Sequence, residues 1–168
     1  MKLGAKELRT KSPTLEEFGK IKKNPVYIIL DNVLDTYNIG AIFRLADAVA
    51  AKKVPPHTRI KKASINTTEW VTWEYAETAV LAIKNLKLEI GNLTVVAIEQ
   101  SPKSVAYDEF DYQFPLVLVV GHESDGVSNE VLKIADAIVE IPMWGVNKSL
   151  NVMVSLGIVL FKAMEKSR

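Results

Sequence analysis

Residues 116–120 read Leu-Val-Leu-Val-Val, an unbroken apolar run that stops at the polar hexapeptide Gly121-His122-Glu123-Ser124-Asp125-Gly126. So short a run, rich in β-branched residues, fits a strand covered on both faces, as the central strand of a parallel sheet is. The hexapeptide then lies at the carboxyl end of that strand, where open α/β sheets bind ligands. Such a strand needs helices on both sides, and the flanking sequence supplies them.

Thr14 and Glu17 fit a capping box opening a short helix through about Ile21, before Asn24-Pro25 breaks the pattern. Val26 to Leu30 reads as a second buried strand and Asp31 to Asn38 as a turn. Helical spacing runs from Gly40 until Val54-Pro55-Pro56 ends it. Residues 57–72 are irregular, with room for one short strand. Helical periodicity resumes over Trp73 to Leu88, and Gly91-Asn92 turns the chain into a strand at Leu93 to Ile98. Beyond the central strand, Ser128 can cap a helix to about Ala135, Ala137 to Ile141 is a strand, and Ser149 to about Lys166 is a final helix. The alternation predicts an α/β domain: a mostly parallel sheet with helices on both faces.

The length of 168 residues suits one domain, able to bury roughly 68–70% of the surface of its unfolded chain. Residues 1–25 read as a short basic N-terminal extension and 26–168 as the domain itself. With no cysteine and only His57 and His122, a disulfide framework, a thiolate nucleophile and a Cys/His zinc site are excluded, and no metal is expected. The first ten residues are charged, and no apolar stretch approaches the ~20 residues of a membrane span, so a cytoplasmic protein is expected.

Net charge is +1, but unevenly spread. Residues 1–62 hold 13 basic and 6 acidic side chains, net +7, whereas residues 63–168 hold 8 and 14, net −6. Lys20, Lys22, Lys23, Lys52, Lys53, Arg59, Lys61 and Lys62 could serve phosphate contacts if folding gathers them, or simply form a solvated face. The usual nucleotide fingerprints are missing. No Gly-x-Gly-x-x-Gly follows a strand, Gly121 to Gly126 is followed by Val127-Ser128 rather than Lys-Ser/Thr, and there is no Gly-x-Ser-x-Gly elbow.

Three polar clusters remain, each at a predicted strand or helix end. In the first, Asn38 and Gly40 sit where a helix begins and Arg44 lies one turn on, an arrangement suited to an anion or equally to a plain cap with a surface arginine. The second is the hexapeptide. The third is Asn147-Lys148-Ser149-Leu150-Asn151, where Ser149 is a plausible N-cap and Asn151 falls in the first turn.

In this order the clusters resemble the three motifs of the SpoU (TrmH-like) family of RNA ribose 2′-O-methyltransferases, in the SPOUT superfamily. The first reads Asp31-Asn32 … Asn38-Ile39-Gly40-Ala41-Ile42-Phe43-Arg44. The second runs from Leu116 through Gly121-His122-Glu123 … Gly126-Val127-Ser128 to Ile141-Pro142-Met143, and the third is Ser149-Leu150-Asn151-Val152 … Gly157. The resemblance covers about Val26 to Glu165. It implies a SPOUT-type fold with a C-terminal trefoil knot, S-adenosylmethionine as cofactor, a homodimer, and tRNA or rRNA as substrate; a short chain suits a compact substrate, so tRNA is expected in preference to rRNA. It places the cofactor against Val119, Val120, Gly121, Ile141, Met143 and Leu150. It gives catalysis or positioning to Arg44, Asn38, Glu123, Ser149 and Asn151, while Arg44, Lys22, Lys23, Lys61 and Lys62 are the candidates for RNA contact. Two positions depart from the family pattern: His122 stands where Asn is common, and Ile65-Asn66-Thr67-Thr68-Glu69 replaces a Leu-Gly-Ala-Glu-like stretch. The alternative is a non-catalytic RNA-binding module on the same fold, with a small-molecule α/β enzyme of another class as a third reading.

Overall fold

The computed structural model describes residues 14–53 and 70–166, together with Glu7 and Ser12. The elements are α1 (Leu15–Lys20), β1 (Asn24–Asp31), α2 (Thr36–Ala48), β2 (Ala51–Lys53), α3 (Ala79–Ile90), β3 (Thr94–Ile98), β4 (Val105–Ala106), β5 (Leu116–Gly121), α4 (Asn129–Ile134), β6 (Ala137–Glu140) and α5 (Val152–Glu165). The strands form one six-stranded sheet in the order β2-β1-β5-β3-β6-β4, with every strand pairing parallel. Strand β5 lies inside it, buried at all six residues, paired with β1 from Val26↔Leu116 to Asp31↔Gly121 and with β3 from Thr94↔Leu116 to Ala97↔Val119.

Alternation along the inner strands sorts the core into two layers. Ile28, Leu30, Val96, Leu118 and Val120 face α2 and α5, packing with Ile42, Phe43, Leu156 and Leu160. Tyr27, Ile29, Val95, Val117 and Val119 face the other way, onto Ile83 and Leu86 of α3 and Val131 of α4. Helices therefore cover both faces, as the apolar runs predict, and no helix among the described residues is long and apolar enough to cross a membrane.

Several boundaries differ from the sequence expectation. Helix α2 begins at Thr36, because Asp35 caps it by accepting the Asn38 N–H at 2.9 Å, and it ends at Ala48. Residues Ala51–Lys53 then form an edge strand instead of extending the helix to Val54. The helix expected from Trp73 starts only at Ala79, where Thr78 accepts the Leu81 N–H. Asn151, not Ser149, caps α5. Ser128 occupies the N-cap of α4, but its hydroxyl makes no capping bond. The capping box of α1 is present as read, with Thr14 and Glu17 bonded reciprocally at 3.1 Å. The Pro55-Pro56 stop and residues 65–69 lie outside the described residues.

Candidate active site

The carboxyl ends of β3, β5 and β6 and the start of α5 surround a cavity of about 450 Å³, within the range of small-molecule sites. Its floor is the turn after β5. Residues His122 and Gly126 exchange backbone hydrogen bonds at 3.0 and 2.9 Å, which folds residues 123–125 into a closed loop. Both glycines are needed for this. A Cβ on Gly121 would lie 2.1–2.2 Å from the backbone of Gly126 and Val127, and Gly126 has φ +70°, a region other residues rarely adopt. His122 Nδ1 accepts the N–H groups of Ser124 and Asp125 at 3.1 and 3.3 Å, so it serves the turn as an acceptor.

Glu123, on this loop, reaches the start of α2. Its Oε1 accepts the Asp35 N–H and the Asn38 Nδ2 at 3.0 Å each, and its Oε2 accepts the Leu34 N–H at 3.3 Å. Burial tends to raise its pKa, but hydrogen bonds from Asn38 and from the backbone of Glu123, Asp35 and Leu34 outweigh it and hold the carboxyl below its ordinary range. Asn38, only 8% exposed, is held on its other side as well: its Oδ1 accepts the Asn151 Nδ2 at 2.9 Å. The Asn151 Oδ1 in turn accepts the N–H groups of Met153 at 2.9 Å and Val154 at 3.4 Å, in the first turn of α5. One chain of hydrogen bonds thus joins all three clusters, and it fixes the orientation of the Asn38 amide.

Ser149, Leu150, Met143 and Ile141 line the cavity with Val120, Gly121, Glu123 and Asn151. Val119 does not; it points into the opposite core layer beside Val127 and Val131. Arg44 does not line the cavity either. It stands exposed on α2, on the same helical face as Tyr37, with no hydrogen bond or ion pair among the described residues. Of the candidate RNA-contacting lysines, Lys22 is exposed, whereas Lys23 is half-buried, donates to the Trp70 carbonyl at 3.2 Å and lies 4.8 Å from the centre of the Phe18 ring. Burial lowers the Lys23 pKa, with Asp47 opposing it. That lysine fastens the segment before β1 rather than offering a free cation. Lys20 is paired with Glu16, Lys53 with Glu74 at 2.7 Å, and Lys61 and Lys62 lie outside the described residues.

Beside Ser155 of α5, three lining residues at the end of β3 were missed in the sequence: Ile98, Glu99 and Gln100. Their signal was position alone, since the carboxyl end of an inner parallel strand is where ligands bind. Asp31 was read as part of the first cluster without a role; its Oδ2 accepts the Ser128 N–H at 2.8 Å and so ties the start of α4 to the end of β1.

The cavity combines apolar surface from Ile98, Ile141, Met143, Leu150 and Val152 with the carboxylates of Glu99, Glu123, Asp125 and Glu140, and among the described residues no lysine or arginine lines it. Such a lining suits an adenosine moiety linked to a cationic group. Comparison with known proteins agrees. Residues 25–161 match the model of the SpoU rRNA Methylase family. The chain is 37% identical over 159 residues to the tRNA (guanosine(18)-2′-O)-methyltransferase of Aquifex aeolicus strain VF5, covering 90% of this chain and 74% of that one. The crystal structure of the A. aeolicus TrmH/SpoU tRNA modifying enzyme superposes with a TM-score of 0.77 at 33% identity, covering 96% of this chain and 81% of that chain. The AdoMet-bound rRNA methyltransferase from Sinorhizobium meliloti does so with a TM-score of 0.72 at 28% identity, covering 95% and 60%.

Proposed function

The chain belongs to the SpoU rRNA Methylase family, and from that premise we propose that it methylates a ribose 2′-hydroxyl of structured RNA, with S-adenosylmethionine as methyl donor. The observation that carries the reading is the hydrogen-bonded chain Asn151–Asn38–Glu123, which draws the three motifs into one frame beside the cavity. When bound, the cofactor supplies an electrophilic methyl group. Ile98, Ile141, Met143 and Leu150 offer it apolar contact, and the carboxylate-rich rim suits its positive charge.

A ribose hydroxyl is a weak nucleophile, so the protein must align it and stabilise the alkoxide that forms as its proton leaves. Glu123 is a poor base for this, since its oxygens already accept three N–H groups and its pKa is lowered. Asn38, Glu123 and Asn151 act as positioning residues. Arg44 has an unspent guanidinium, which clamps an RNA phosphate and stabilises the developing oxyanion; the proton passes to a phosphate oxygen or water. Ser149, lining the cavity, is placed to orient the ribose.

The active unit in this proposal is a homodimer with RNA bound across the two subunits. Its support is twofold: Val154 and Phe161 leave an exposed apolar stripe on α5, and Arg44 lies outside the cavity lining of its own chain. A two-fold pairing of one surface patch would cover the first and bring a second copy toward the site. The stretch from Gly121 to α5, whose parts wall one cavity, is taken to be the family's trefoil knot. The cytoplasm is the matching compartment. A tRNA substrate is supported by the name of the A. aeolicus relative.

The test is transfer of labelled methyl to unmodified total tRNA and rRNA, wild type beside Arg44→Ala, followed by digestion and mass spectrometry of nucleosides. A 2′-O-methylnucleoside in the tRNA pool that appears only with wild type is the expected result. Product in the rRNA pool alone would overturn the substrate class, and cofactor binding without transfer to either would favour the RNA-binding module.

A further inference from the structure

Glu99 and Gln100 leave β3 side by side and hold opposite walls of the cavity. Glu99 Oε2 accepts the Val127 N–H at 2.8 Å, and its Oε1 accepts the Gln100 N–H at 2.8 Å. This first contact is built into the turn: a Cβ on Gly126 would fall 2.1 Å from Glu99 Oε2, so the carboxylate occupies the space that the glycine leaves. The second contact is of another kind. Gln100 Nε2 donates to the Lys148 carbonyl at 2.6 Å, and among the described residues this is the one hydrogen bond that ties residues 143–150 to the rest of the fold.

That segment has no helix or strand of its own, and it carries Met143, Ser149 and Leu150 of the cavity wall. A second, more open cavity of about 410 Å³ lies against it, bounded by Gln100, Met143, Gly145 and Lys148. The segment therefore has space on both sides and one polar fastening. A wall with so few bonds opens at low cost, and the strength of its fastening sets how long a ligand behind it stays.

We propose that Gln100 is the latch of the cofactor pocket, a positioning residue whose side-chain amide fixes residues 143–150 and so sets cofactor affinity and residence time without touching the reacting atoms. The inference rests on the methyltransferase reading above. Loss of one amide–carbonyl bond corresponds to roughly a five- to tenfold change in an equilibrium constant. Because Gln100 is exposed, its replacement leaves the core intact.

The experiment compares full-length wild type, Gln100→Ala and Gln100→Glu by calorimetry and stopped-flow binding of S-adenosylmethionine, by steady-state methyl transfer, and by backbone hydrogen exchange. Gln100→Ala should bind S-adenosylmethionine about five- to tenfold more weakly through faster release, with an equal rise in its KM. The kcat at saturating cofactor, the KM for RNA and the Tm should stay at wild-type values, and exchange at residues 143–150 should quicken. Gln100→Glu should behave alike near neutral pH and regain affinity in acid, where its protonated carboxyl can donate to the Lys148 carbonyl again. Wild-type affinity and exchange in a folded Gln100→Ala would overturn the latch alone. A wild-type protein that binds no S-adenosylmethionine would overturn the methyltransferase reading, and the latch with it.

Discussion

Asn38 and Arg44 stand six positions apart on one helix, and the fold treats them in opposite ways. Asn38 is buried and has both ends of its amide bound, one to Glu123 and the other to Asn151. Arg44 is exposed and makes no bond among the described residues. The difference divides the candidate site into a frame and a reagent. An amide held at both its nitrogen and its oxygen orients its neighbours, whereas a free guanidinium keeps its donors for the ligand. The lysines before β1 repeat the division on a smaller scale, with Lys22 free and Lys23 fastened to Trp70 and Phe18.

The sharpest way to break this contrast is Arg44→Ala. It should lower kcat by about 100-fold or more, the scale of losing an oxyanion-stabilising group, while cofactor affinity and Tm stay unchanged. A fall in Tm would put Arg44 in the frame instead. For Asn38→Ala the expected pattern is reversed in kind: a stability loss of about 1–3 kcal/mol by denaturant titration, from leaving buried partners unpaired, with activity falling roughly tenfold or more.

Acid should loosen the frame. The carboxyl of Glu123 titrates below its ordinary range in the folded chain, so its contribution to stability is complete above the unfolded carboxylate pKa and is lost as pH falls through the lowered folded value. Tm measured against pH for wild type and Glu123→Gln should therefore differ near neutrality and converge in acid; parallel curves would remove Glu123 from the frame. The smallest effect concerns RNA affinity. Lys22→Ala should reduce the slope of log K against log salt by about 1, whereas Lys23→Ala should leave the slope alone and lower Tm slightly.

How far the sequence carried follows from the range of the forces involved. The inner strand at Leu116–Val120 was plain because burial on both faces demands consecutive apolar residues. The capping box at Thr14 and Glu17 was plain because its partners are three residues apart. The caps of α2 and α5 were misplaced because Asp35 and Asn38, or Ser149 and Asn151, are equally good caps locally. The choice is made by partners far along the chain: Asn38 is taken up by Glu123 and Asn151. Glu99 and Gln100 carry no local signal, since their bonds reach Val127 and Lys148. The β4 strand was invisible at two residues. Arg44 was marked by its place one turn after Gly40 and given its role by resemblance to the family motif, and its lack of partners among the described residues could be seen only once the fold was known.

The bond between Asn151 and Asn38 joins positions 113 residues apart. At synthesis rates of about 5–20 residues per second, Asn38 is made roughly 6–23 s before its partner. During that interval α2 can form and pack, but the oxygen of its Asn38 amide has only water to bind, and the cavity lacks the wall that runs to α5. Ligand-binding competence therefore waits for residue 151 and α5, so a nascent or cleaved chain ending before residue 151 would bring α2 without the other half of its frame.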